Sequence, residues 1–256
     1  QLFQLCFFMQ LKNNADGRLW EIDFFRGIAI ILMILFHFIY DLNHFSIIYY
    51  KLWKGPFAYA ASITASLFVI LVGISLTISY NKRKKRFSLS TIRVQFLNRG
   101  LKLFGLGLII TLVSWIIIRE RFVIFGILHC IGVCIILSLP FLEYKRLNLI
   151  LGGFLIVAGL YLRLLTFGFS WLLPFGFLPP KYFTIDYFPL LPWFGVVLVG
   201  IAFGNFFYPE GKRRFHLQDK STMLIPQKIC LIGRYSLPIY FIHQQILVGL
   251  IYLLLL

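Results

Sequence analysis

The run IDFFRGIAIILMILFHFIYDL, residues 22–42, decides the fold. An α-helix rising 1.5 Å per residue needs about 20 apolar residues to cross the hydrocarbon of a bilayer. This run has that length, yet it carries Asp23, Arg26, His37 and Asp41. At 100° per residue the four fall on one face, within a sector of about 60°. Lipid would not solvate that face, so it must turn towards a helical bundle or a wet cavity. The run is therefore one helix among several, and its polar stripe marks where function should be sought.

Working outward, six further runs reach spanning length: residues 57–80, 94–118, 122–142, 147–165, 189–208 and 228–254. The composition agrees: 60% of the 256 residues are hydrophobic, only 13% are charged, and the mean hydropathy is +0.86. Soluble domains carry about 25% charged residues. The expected fold is all-α, a polytopic transmembrane bundle of about seven helices. Residues 1–21 are read as a cytoplasmic segment and 22–256 as a single transmembrane domain. No repeat or low-complexity linker divides it.

Charge sets the expected orientation. Basic residues in short flanking loops stay cytoplasmic. Assigning alternate loops to the two faces puts 19 of the 25 Lys and Arg on the side of the N-terminus. This predicts a cytoplasmic N-terminus, an external C-terminus and a multi-pass protein of the cell membrane. The net charge of +16 thus belongs to membrane topology and the lipid bilayer, and no nucleic-acid partner is expected. The stretch before Met9 lacks a basic start and a small-residue cleavage site, so no signal peptide is expected and Met9 fits a natural start. Cys6, Cys130, Cys134 and Cys230 show no CxxC spacing and read as small packing residues. No metal site is expected, and a homo-oligomer is left open.

Depth separates the stripe into two pairs. Asp23 and Arg26, three residues apart near the inner end, are placed to form a structural ion pair. His37 lies about 16 Å further along, with Asp41 one turn beyond, where a carboxylate orients an imidazole and raises its basicity. Two other runs bring His129 and His243 to a similar expected depth, the latter with Ser236 and Tyr240 on its own face. Asp186 and Trp193, around the start of the 189–208 run, are the candidates for holding an acceptor. A single buried histidine is usually a packing residue; three at one depth with carboxylates alongside point to chemistry.

Several stretches carry a family likeness. Residues 18–29 (RLWEIDFFRGIA) with 36–42 (FHFIYDL), residues 126–132 (GILHCIG), 186–195 (DYFPLLPWFG) and 233–244 (GRYSLPIYFIHQ) resemble the DUF1624 proteins. Those are similar to the catalytic domain of heparan-α-glucosaminide N-acetyltransferase. The resemblance implies a membrane acyltransferase that takes acetyl from cytosolic acetyl-CoA and delivers it to an extracytoplasmic sugar or other amine or hydroxyl acceptor. Arg26 and His37 also fit the Arg-x10-His pattern of the wider membrane acyltransferase group, which implies a catalytic role for His37. The lysosomal enzyme has Asn at the position of His37 and its catalytic histidine in the following loop, where His44 is the nearest candidate here.

The expected mechanism has His37, oriented by Asp41, as the base, with His243 or His129 and Tyr240 donating to the carbonyl oxygen. CoA phosphates would lie near Arg26 and Arg234. The basic run at residues 82–86 is read first as a topology signal drawn to anionic lipid. Arg83 and Arg86 are its candidates for phosphate contact. The rival reading is a proton-coupled small-molecule transporter using the same Asp/His stripe; a structural membrane protein would leave the stripe without a purpose.

Overall fold

The computed structural model describes residues 18–50, 52, 54–180, 182, 184 and 186–255. Most of the expected N-terminal segment, with Cys6 and Met9, lies outside the described residues. Among the described residues all regular structure is helical, in eight α-helices and three short 3₁₀ turns. Five helices are long and apolar enough to cross a membrane: α1 (Trp20–His44), α2 (Pro56–Lys84), α3 (Leu89–Ile118), α6 (Leu190–Phe207) and α8 (Ser236–Leu255). Two more are apolar but shorter, α4 (Ile127–Leu137) and α5 (Arg146–Leu162), and α7 spans Leu224–Arg234.

Two expected boundaries change, both at Pro and Gly. The 122–142 run was expected as one spanning helix. Its regular part is the 11-residue α4, which starts after an extended Gly126 and ends in a 3₁₀ turn, Leu139–Phe141, containing Pro140. Proline cannot donate into a continuing helix, so the helix stops short of it. The 228–254 run was likewise expected as one helix and is two, α7 and α8, parted at Tyr235. Each of them carries a proline at its third residue, Pro226 and Pro238, where the backbone N–H would have no helical partner anyway.

The chain forms two compact units. The first gathers the chain up to Ala61 and from Gln218 onward. Its central seam is α1 against α7, and the backbones meet where both helices offer glycine. A Cβ on Gly233 would lie 1.8 Å from the Asp23 carbonyl oxygen, and one on Gly27 would lie 2.1 Å from that of Ile229. With no water to drive association between spanning helices, such small-residue contacts let backbones pack closely. Ile22, Ala29, Ile30, Cys230, Leu247 and Ile251 fill the interior of this unit.

The second unit is Ser62–Leu217. Its core joins Val69 and Leu76 of α2, Phe96 of α3, Cys134 and Ile135 of α4, and Val197 and Ile201 of α6. Thr77 ties α2 to α6, its hydroxyl lying 3.2 Å from the Gly73 carbonyl and 3.3 Å from that of Ile201. Asn148 donates to the Phe141 and Tyr144 carbonyls, and Asn205 to that of Leu142, so the turn after α4 has its acceptors satisfied inside the protein. Outward, α3 exposes Leu108, Ile109, Leu112, Ile116 and Ile117, a surface suited to lipid and unsuited to water.

Candidate functional site

In the first unit the polar stripe of α1 splits into two centres, as its depth pattern anticipated. At the N-terminal end the buried Asp23 carboxylate draws three guanidinium groups. Arg18 Nε lies 2.9 Å away, Arg26 Nη1 3.1 Å and Arg234 Nε 3.5 Å. The Asp23–Arg26 pair matches the i,i+3 expectation. Arg234, which was expected near Arg26, ends α7, whereas Arg18, which precedes the helix, was not expected there. A buried carboxylate needs such partners to offset its desolvation. Arg18 and Arg234 are still partly open to the surroundings. Close by, the Cys230 thiol donates to the Trp20 carbonyl, and burial pushes its pKa up.

Further along α1, His37 and His243 face each other, ring centroids 4.9 Å apart and planes inclined at 60°. His243 is 8% exposed. Its Nδ1 lies 2.7 Å from the Tyr240 carbonyl oxygen, which only accepts, so Nδ1 carries the hydrogen of the neutral ring. The lone pair is then on Nε2, which is buried and has no hydrogen-bond partner. The Tyr240 ring tilts against the same imidazole at 5.7 Å. Asp41 is buried too, but its carboxylate receives the Gln244 amide, Nε2 lying 2.8 and 3.1 Å from the two oxygens. The expected orienting bond from Asp41 to His37 is therefore replaced by one between α1 and α8. His44, the last residue of α1, is exposed and stacks on Tyr40, centroids 6.3 Å apart.

His129, Asp186 and Trp193 belong to the second unit. His129 was expected two turns below a helix end; it is the third residue of α4, in the first turn. Its Nδ1 accepts from the Gly126 N–H at 3.2 Å, so the hydrogen is on Nε2, which points at Thr111 Oγ1 at 3.4 Å. Phe104 and Phe125 pack on the ring. Both nitrogens thus hold structure together. Asp186 Oδ2 accepts from the Ile127 N–H at 3.2 Å, placing a carboxylate at the N-terminus of α4 where the helix dipole favours it. Trp193 is buried against Phe188, centroids 4.8 Å apart, and its indole N–H has no acceptor.

The basic run after α2 is also largely engaged. Arg83 donates to Gln95 and to Ser79 Oγ, Lys84 bonds Glu143 at 2.5 Å, and Lys85 bonds Glu210 at 3.0 Å. Hydrogen bonds from Lys84 and from Tyr80 hold the Glu143 carboxyl below its ordinary range. Arg86 is exposed in the turn that follows. Sequence reasoning missed Arg18 and Gln244. Arg18 could have been found as a charge five residues before Asp23. Gln244 carries no charge to mark it.

The all-helical fold, with five helices long and apolar enough to cross a membrane among the described residues, is that of a helical membrane protein. Residues 18–245 match the family described as heparan-alpha-glucosaminide N-acetyltransferase, catalytic, and the chain belongs to that family. No curated protein and no solved structure matches it.

Proposed function

We propose that this chain is a membrane-embedded acetyltransferase, moving acetyl from cytosolic acetyl-CoA to an amine or hydroxyl acceptor, such as a sugar, at the extracytoplasmic face. The observation that carries the reading is the His37–His243 pair, set among apolar helices where an ionisable residue is costly unless used. Family membership supplies the donor class.

A thioester is already activated, so the protein has little covalent work to do. The acceptor nitrogen or oxygen attacks the acetyl carbonyl carbon. As that bond forms its proton passes to His243 Nε2, whose lone pair the Tyr240 carbonyl has fixed in place. A His37 N–H supports the developing oxyanion. The carbon–sulfur bond then breaks, and the proton returns from His243 to the CoA thiolate. The tautomer argument thus gives His243 the base role that the α1 pattern gave to His37. His129 is left out, since neither ring nitrogen is available.

At the other end of α1, Arg26 and Arg234, joined by Arg18, suit the CoA phosphates, because guanidinium forks bind phosphate through paired hydrogen bonds. Arg83 and Arg86 are the second set, and Arg83 would first have to leave Gln95.

The test is turnover of radiolabelled acetyl-CoA by the purified chain in detergent, with glucosamine as acceptor. His37→Ala and His243→Ala should each lower kcat by about 10²–10⁴-fold while the melting temperature stays near that of the parent. Parent protein that neither transfers nor hydrolyses acetyl-CoA would end this reading. If His44→Ala alone abolishes turnover, the chemistry belongs at the end of α1 instead.

A further inference from the structure

Asp41 and Gln244 form a contact that the proposed chemistry does not use. It joins the same two helices as the histidine pair and lies beside it, since Asp41 is one turn from His37 and Gln244 adjoins His243. An ionised carboxylate has no hydrogen to give, so the amide must turn its N–H₂ group towards Asp41. Its Oε1 is then buried without a donor. Leaving an acceptor in that state is unfavourable, and an apolar residue would avoid it.

We propose that Gln244 is a positioning residue: its amide, bridging both oxygens of Asp41, sets the rotation of α8 against α1 and so holds His243 opposite His37. The leverage is geometric. One residue of slip turns a helical side chain by 100°, enough to take the His243 ring away from its partner. The clamp works on α8 one position after His243, where it constrains that rotation directly. The proposal rests on the acetyltransfer reading above for its kinetic consequence, though not for the contact itself.

An isosteric swap tests it. Gln244→Glu puts a carboxylate against the Asp41 carboxylate. Asp41→Asn leaves Gln244 an acceptor and should stay near the parent. The double variant restores one carboxylate and one amide in opposite order. In acetyl-CoA turnover, Gln244→Glu should lower kcat about 10–100-fold, the scale of a small misplacement of reacting groups, with KM for acetyl-CoA within about twofold. Adding Asp41→Asn should return kcat to within about threefold of the parent.

Three outcomes overturn the proposal: Gln244→Glu as active as the parent, no rescue in the double variant, or Asp41→Asn alone inactive. The last would mean that the Asp41 charge itself serves the reaction. Melting temperature of the four proteins separates this from failure of the functional reading. If the parent shows no turnover, suppression by Asp41→Asn of a lowered Gln244→Glu melting temperature still tests the clamp, and its absence refutes it.

Discussion

Replacing Gly233 with Ala tests the packing on which the first unit depends. The added methyl would lie 1.8 Å from the Asp23 carbonyl oxygen and 2.8 Å from the Gly27 nitrogen. Both are backbone atoms, so no rotamer change relieves the clash. Reaching an ordinary contact of 3.4 Å requires α1 and α7 to part by about 1.6 Å. That also stretches the Arg234–Asp23 pair, which begins at 3.5 Å. Overpacking costs about 1–3 kcal/mol, and backbone contacts place this case at the upper end.

The readout is dye labelling of Cys230, which is 2% exposed and lies one turn before Gly233, in protein with the other cysteines replaced by Ala. If labelling follows local opening, the cost corresponds to a rate about 5- to 150-fold faster. Gly249→Ala is the matched control, because a Cβ there meets nothing within 4 Å. It should remain as protected as the parent and gain about 0.5–1 kcal/mol from the better helix former. Unchanged labelling in Gly233→Ala, or equal loss in both variants, would refute the close-seam account.

His129→Ala should cost about 1–3 kcal/mol of stability, by stranding the Gly126 N–H and opening a space in the second unit, while kcat per folded molecule stays within a few-fold of the parent; thermal melting beside turnover checks both. Single cysteines at the exposed positions Arg86 and Lys54 should label from opposite sides of sealed vesicles, and labelling of both from one side would overturn the orientation inferred from the basic residues.

What could be read from the chain differs by level. The stripe of α1 was legible because one helix imposes one angular period, so Asp23, Arg26, His37 and Asp41 had to share a face wherever the helix sat. The break at Tyr235 was also written in the chain, as Gly233 close before it and Pro238 in the first turn of the next helix. A hydropathy run extends across it because neither residue is polar enough to interrupt the apolar average. The same weakness lengthened the fourth run, and with it displaced His129. Depth counted from Phe122 put that residue two turns into a helix, when its place in the first turn after Gly126 makes it a cap.

The partners across helices were the least legible, for a physical reason. Within α1, spacing alone determines which residues meet. Between α1 and α8, rotation and register decide, and those are set by close contacts spread along the helices. Asp41 illustrates the difference: at i+4 from His37 it was the obvious orienting carboxylate, and it is instead bound to a neutral amide more than two hundred residues away in sequence. The two centres on α1 then have distinct logic. Asp23 is bound by three guanidinium groups, whereas Asp41 is bound by a neutral amide. A partner of the first kind is marked in the sequence by its charge, and one of the second kind is not, because nothing in the chain distinguishes Gln244 from any other amide until the register of α8 against α1 is known.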